Sequence, residues 1–297
     1  MIWKCNRRSL DLTRHARVMG ILNVTPDSFS DGGLHWTLDA AMRHARRMIA
    51  EGAEIIDVGG ESTRPGAVPV DADEEAARVF PVIRALRDEW SGIISIDTSK
   101  AVVALAALNA GADVINDISG LRADPGMLSL CSAAACGVVV MHMQGTPATM
   151  QQNPRYLDVV DEVSNFFHDR MHVLTDAGLA PEAICFDPGI GFGKAHAHNL
   201  ELLRRIGSLA PAGRPLLLGA SRKSFIGRIL GNDDLAVRHW PSLAVTARAR
   251  LSGVMLHRVH DVKANAQVLR MVEAIAGGRG ADDSANSNSS DPKMSLA

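Results

Sequence analysis

Apolar residues in this chain fall into two alternating kinds of run. Short stretches rich in Val and Ile lie at 18–23, 55–58, 93–97, 114–116, 138–141, 184–187, 216–219 and 255–259. Between them lie longer stretches in which apolar positions recur every three to four residues, at 38–50, 73–90, 101–110, 126–135, 158–177, 199–209, 243–251 and 262–276. The first kind predicts buried strands and the second amphipathic helices, so the chain reads as repeated βα units on a parallel sheet. Three helix-to-strand junctions repeat a small-residue pattern: Gly52-Ala53, Gly111-Ala112 and Ser252-Gly253. Glycine just beyond a helix is the residue that a left-handed cap requires. A doubly wound sheet would carry the same junctions. Eight units without a break in composition favour a single closed (β/α)8 barrel over residues 1–277.

Two loops that follow strands, at 25–36 and 61–70, are long and rich in Gly, Pro and Ser. Such loops are candidate lids. Residues 278–297 form a polar tail dominated by Ser, Asn and Asp, with too little apolar surface to offset the entropy of ordering, so this segment is expected to be disordered.

In a barrel of this kind chemistry gathers where strands end. The ends carry Asn23, Asp57 with Glu61, Asp97, Asn116 with Asp117, His142, Asp187, Lys223, and Arg258 with His260. Any one of them could be polar because solvent begins there. The whole ring is harder to dismiss, since Asp97, Asn116 and Asp187 follow apolar runs, where an unpaired polar group costs about 1–3 kcal/mol. Asp97, Asn116 and Asp187 offer acceptors to a flat ring bearing N–H groups. Lys223, Arg258 and His260 offer donors and positive charge to an oxyanion. This predicts a division of the rim into an acceptor side and a cationic side.

Composition narrows the partners. Hydrophobic residues make up 46% and aromatic residues 4%, so the core should be aliphatic. A net charge of -2 gives no basic field for nucleic acid or an anionic membrane, and no apolar run reaches membrane-spanning length. The four cysteines, Cys5, Cys131, Cys136 and Cys185, lack zinc or redox spacing and read as reduced thiols of a cytoplasmic protein. Gly191-Phe192-Gly193-Lys194 lacks the spacing and hydroxyl of a phosphate-binding loop. His196 and His198, expected in a loop, and His257, expected to face away from the rim, lack the paired geometry of a zinc site.

The segments Gly20-Ile21-Leu22-Asn23-Val24-Thr25-Pro26-Asp27-Ser28-Phe29-Ser30-Asp31-Gly32-Gly33 and Asp57-Val58-Gly59-Gly60-Glu61-Ser62-Thr63-Arg64-Pro65-Gly66 resemble the two signatures of the dihydropteroate synthases. Ser95-Ile96-Asp97-Thr98, Ile115-Asn116-Asp117-Ile118, Met141-His142-Met143-Gln144-Gly145, Phe186-Asp187-Pro188-Gly189, Ser221-Arg222-Lys223-Ser224 and Arg258-Val259-His260-Asp261 extend the resemblance in order along the chain. It implies a TIM barrel that condenses 6-hydroxymethyl-7,8-dihydropterin pyrophosphate with p-aminobenzoate, using Mg²⁺, on the route to folate. It further implies that Asn23 binds the metal. Asp97, Asn116 and Asp187 hold the pterin, with Lys223 beside them. Arg258 and His260 grip the pyrophosphate, and Thr63, Arg64, Pro65 and Ser224 frame the aminobenzoate. A homodimer is implied as well. Trp240-Pro241 departs from the family's usual residues there, which bears on subunit contacts. A pterin-dependent methyltransferase would not need the Arg258/His260 pair or the Arg64 loop, and a silent paralogue would not need all of Asn23, Thr63, Arg64, Lys223, Arg258 and His260.

Overall fold

A computed structural model describes residues 1–25, 38–62 and 68–277. The loops at 25–36 and 61–70 are therefore described only in part. Thr63, Arg64, Pro65 and the tail at 278–297 lie outside the described residues.

The chain opens with a hairpin of β1 (Ile2–Cys5) and β2 (Arg8–Asp11), paired antiparallel. The parallel strands follow: β3 (Arg17–Asn23), β4 (Ile55–Gly59), β5 (Ile93–Asp97), β6 (Val114–Asp117), β7 (Gly137–Met141), β8 (Ile184–Asp187), β9 (Leu217–Leu218) and β10 (Leu256–Val259). Their order is β8-β7-β6-β5-β4-β3-β10-β9, and a Phe186–Leu216 bridge joins β8 to the strand that would otherwise be the other edge. The sheet closes into the expected barrel.

The helices are α1 (Leu38–Ala50), α2 (Ala72–Glu89), α3 (Ala101–Ala110), α4 (Met127–Ala134), α5 (Val159–Asp176), α6 (His196–Arg204), α7 (Ser224–Leu230), α8 (His239–Leu251) and α9 (Val262–Ile275). Gly52, Gly111 and Gly253 have positive φ, as the junction pattern requires. Carboxylates cap three helices: Asp71 accepts from Glu74 N, Asp158 from Val160 N and Asp161 N, and Asp261 from Ala264 N. Two expectations are corrected: α8 starts at His239 rather than 243, and His196 and His198 stand in the first turn of α6 rather than in a loop. The β1–β2 hairpin and α7 are further elements that the apolar pattern does not predict.

Side chains alternate across each strand with period two. Ile56, Val58, Ile94, Ile96, Val138 and Val140 belong to the cluster that packs with the helices. The alternate residues Met19, Ile55, Ile93, Val114, Val139, Cys185 and Leu217 form a second cluster with Trp3, Cys5 and Leu12 of the hairpin segment. The hairpin thus plugs one end of the barrel, where Trp3 is fully buried and its Nε1 donates to Ala183 O at 2.9 Å. Beside this plug Asp113 is buried, accepting from Arg8 Nη1 at 2.6 Å, Arg87 Nη2 at 2.5 Å and Ile94 N at 3.0 Å.

Candidate active site

At the other end of the strands the same inward alternation turns polar. Moving two residues on from Ile55 gives Asp57, from Ile93 gives Ser95 and then Asp97, from Val114 gives Asn116, and from Cys185 gives Asp187. Register aligns them, since Asn23 pairs with Gly59, Gly59 with Asp97, and Asp97 with Asn116. A Cβ on Gly59 would stand 3.4 Å from Asp97 Cβ and 3.8 Å from Asn23 Oδ1, so the glycine keeps the space between these two side chains open.

The centre of the group is Arg258. Its Nε donates to Asp57 Oδ2 and its Nη2 to Asp97 Oδ2, each at 2.6 Å. Asn116 Nδ2 donates to the same Asp57 oxygen at 3.1 Å, while Asp57 Oδ1 and Ser95 Oγ are buried without a protein partner. The expected division of the rim is corrected here. Arg258 lies among the acceptors rather than opposite them, because a guanidinium planted on a barrel strand reaches across to carboxylates that would otherwise be buried uncompensated.

Burial pushes the Asp97 carboxyl up to about 7; Arg258 opposes this and the Asp57 charge adds to it. Burial also raises Asp187, against a hydrogen bond from Gly189 N to its Oδ1 at 2.7 Å and the charges of Lys223 and Arg258. Lys223 precedes α7, with its Nζ 4.0 Å from the centroid of the Phe192 ring. It is presented by a fixed turn: Arg222 has φ 57, its N–H donates to Ser242 Oγ at 3.0 Å, and its carbonyl accepts from Arg238 Nη1 at 3.3 Å. Ser224 begins α7. His260 N donates to Ser221 Oγ at 3.3 Å, and His260 Nδ1 lies 3.1 Å from that oxygen.

Other polar strand-end residues build structure. Asp117 is buried and accepts from Ser119 N, Ser119 Oγ and Leu121 N, which shapes the turn after β6. His257 is buried with Nε2 3.3 Å from Val254 O, away from the rim as expected. Glu61 Oε1 accepts from Val70 N at 3.1 Å and so joins the two ends of its loop, and Lys100 Nζ bonds both Glu61 and the buried Glu75. Sequence reasoning missed the central place of Asp57, the Phe192 ring and the wall that Phe192 forms with Ile118, Met141, Met143 and Met150. The inward period of β4 carries the signal for Asp57.

Residues 19–260 match the protein family described as pterin binding enzyme. The chain is 48% identical over 266 residues to the dihydropteroate synthase of Escherichia coli strain K12, an alignment that covers 90% of this chain and 93% of that protein. Among solved structures, the Yersinia pestis dihydropteroate synthase in complex with a sulfonamide drug superposes with a TM-score of 0.88 at 44% identity, covering 93% of this chain and all of that one (100%). The Xanthomonas albilineans dihydropteroate synthase with 4-aminobenzoic acid gives 0.86 at 44% identity, with 93% and 98% covered. A closed barrel, a polar cluster at one end of its strands and sequence likeness along nine-tenths of the chain agree: this protein belongs to the pterin-binding enzymes, in the dihydropteroate synthase family.

Proposed function

We propose that the chain condenses 6-hydroxymethyl-7,8-dihydropterin pyrophosphate with p-aminobenzoate, giving 7,8-dihydropteroate, pyrophosphate and a proton. The observation that carries this reading is the inward cluster of Asp57, Asp97, Asn116, Asp187 and Arg258, in a chain 48% identical to a dihydropteroate synthase. Asp97, Asn116 and Asp187 receive the N–H groups of the pterin, and the apolar side chains of Ile118 and Met141 receive its flat face. Cleavage of the C–O bond leaves positive charge on the pterin methylene, which the carboxylates stabilise while the aniline nitrogen attacks. Arg258 donates to Asp57 and Asp97 and opposes the upward push of burial on Asp97, so only its remaining donors turn to the pyrophosphate, and Lys223 and His260 carry more of that anion. Ser224, with Thr63, Arg64 and Pro65, frames the aminobenzoate. No protein nucleophile is needed.

The donors suit Mg²⁺. Asn23 offers one hard, neutral oxygen beside the space that Gly59 leaves open, and no cage of His, Cys, Asp and Glu exists among the described residues. A hard cation shared with substrate phosphates and water fits such a donor set. Bound to Asn23, it would offset charge on the leaving pyrophosphate.

No helix among the described residues is long and apolar enough to cross a membrane. We place the protein in the cytoplasm on its four buried free thiols, and we propose a homodimer through the exposed apolar side chains Ile229, Leu230, Leu235, Trp240 and Leu251. Sedimentation at micromolar concentration checks the second point.

Pyrophosphate release, measured with and without p-aminobenzoate and with the product identified by mass, tests the reaction. Release that ignores aminobenzoate would refute it. A pH effect follows as well. Asp97, held near 7, is protonated below that pH and then offers the pterin one lone acceptor oxygen instead of a carboxylate. The affinity of a phosphate-free pterin analogue should therefore fall as pH drops from 8 to 6. In Asp97→Asn it should be about 10- to 100-fold weaker at pH 8 and nearly flat with pH. Calorimetric titration across this range checks both.

A further inference from the structure

An amine without a carboxylate partner holds the turn after β8 against the turn after β7. Lys194 is 2% exposed, and its Nζ lies 3.0 Å from His142 Nδ1, 3.1 Å from His142 O and 2.9 Å from Phe192 O. Three acceptors meet the three N–H donors of an ammonium. Burial pushes Lys194 down to about 7, with Asp187 opposing and Lys223 adding. Burial, then the charges of Lys194 and Arg122, pushes His142 down to about 2, so the imidazole is neutral. Facing the ammonium form of Lys194, its Nδ1 accepts, which leaves the ring proton on Nε2.

The two turns touch backbone to backbone. A Cβ on Gly189 would stand 2.1 Å from His142 O, and one on Gly193 would stand 2.3 Å from Gln144 O. Both glycines also have positive φ, 65° and 61°. Phe192 rides on this clamped turn. The carbonyls on either side of it are also held, Gly191 O by Gln151 Nε2 and Gly193 O by Tyr156 Oη, each at 2.7 Å. Its ring then meets the Lys223 ammonium. Lys194 and Ser224 also border one cleft of about 440 Å³ between this turn and α7.

Burying an amine is costly, and a packing role alone would be served more cheaply by an apolar chain of the same length. The donors must therefore be what this position requires. In the ammonium form all three donors are engaged by His142 and Phe192, so the amine is tied to the two turns rather than presented to a substrate.

We propose that Lys194 is a positioning residue for the second substrate: by holding the Phe192 carbonyl it fixes the aromatic ring opposite Lys223 and so shapes the wall that receives p-aminobenzoate. The proposal rests on the synthase reading above. It makes Lys194 act through Phe192 and separates its effect from pterin binding, which relies on Asp97, Asn116 and Asp187.

The test is a double-mutant cycle on the full chain, with steady-state kinetics for both substrates in wild type, Lys194→Met, Phe192→Ala and the double variant. Lys194→Met should raise KM for p-aminobenzoate about tenfold, the scale of one lost charged hydrogen bond, and change KM for the pterin pyrophosphate less than about twofold. With Phe192 already truncated, Lys194→Met should add less than about twofold, because the ring it positions is gone. Lys194→Gln, whose amide retains donors, should fall between wild type and Lys194→Met, and carries the test if the methionine variant does not fold. A wild type that forms no dihydropteroate removes the synthase reading and this proposal with it. In an active wild type, three results overturn the proposal alone: equal rises in both KM values, a fall confined to kcat, or effects of the two substitutions that simply multiply.

Discussion

Replacing Arg258 by alanine should reduce kcat/KM by at least about a hundredfold and destabilise the protein by about 3–5 kcal/mol at pH 8. The guanidinium is the cation bonded to both Asp57 and Asp97, and Asp57 is fully buried. Its removal leaves two carboxylates close together with Asn116 as the remaining donor to Asp57. The pH dependence has a definite sign. Asp97 titrates higher in the folded protein than its ordinary value of 3.8, so its ionisation opposes folding. Without Arg258, the influence that holds its pKa down is lost and the opposition grows. The stability deficit should therefore be largest above pH 7 and shrink as pH falls towards 4. A phosphate-free pterin analogue should also bind more weakly, contrary to a rim divided into separate acceptor and cationic sides. Urea unfolding at pH 5 and pH 8, with titration of the analogue, measures these effects. A variant within about 1 kcal/mol of wild type at pH 8 would show that the bonds from Arg258 to Asp57 and Asp97 are not what compensates the burial of this cluster.

Asp113→Ala should do the reverse, harming the fold and sparing the chemistry. Its carboxylate joins Arg8 of the hairpin, Arg87 of α2 and the backbone of β5 at the plugged end of the barrel. Truncation strands a partly buried guanidinium and the Ile94 N–H, at a cost of about 3–5 kcal/mol, or roughly 6–10 °C in melting temperature. Turnover at 25 °C should stay within about twofold. A large loss of kcat at a temperature where the variant is fully folded would mean that the two ends of the barrel are coupled.

Much of this was legible in the chain because period two is a strong constraint. Once the parallel strands are located, Asp97, Asn116, Asp187 and Arg258 must share the inner surface, and a slip of one residue would turn them all outward. Periodicity assigns a face but not a partner. It could not show that Arg258 would span to Asp57 and Asp97, nor that Lys194 would be buried beneath Phe192. The hairpin escaped notice for a different reason. Ile-Trp-Lys-Cys and Arg-Ser-Leu-Asp are four residues each, with charged side chains between the apolar ones, and what buries Trp3 and Cys5 lies far along the chain. α7 spans seven residues, too few for helical periodicity to register.

The plug also imposes an order on biogenesis. Trp3 and its acceptor Ala183 are 180 residues apart, and the hairpin's neighbours in the barrel, β7 and β8, are likewise distant in sequence. At about 5–20 residues per second, a ribosome needs roughly 10–35 s to supply that acceptor. Within this interval β3 to β6 can already pair in sequence order and offer the hairpin Met19, Ile55, Ile93 and Val114, together with the Asp113 partner of Arg8. The first structure made thus completes its contacts among the last, once β7 and β8 bring the acceptor of Trp3.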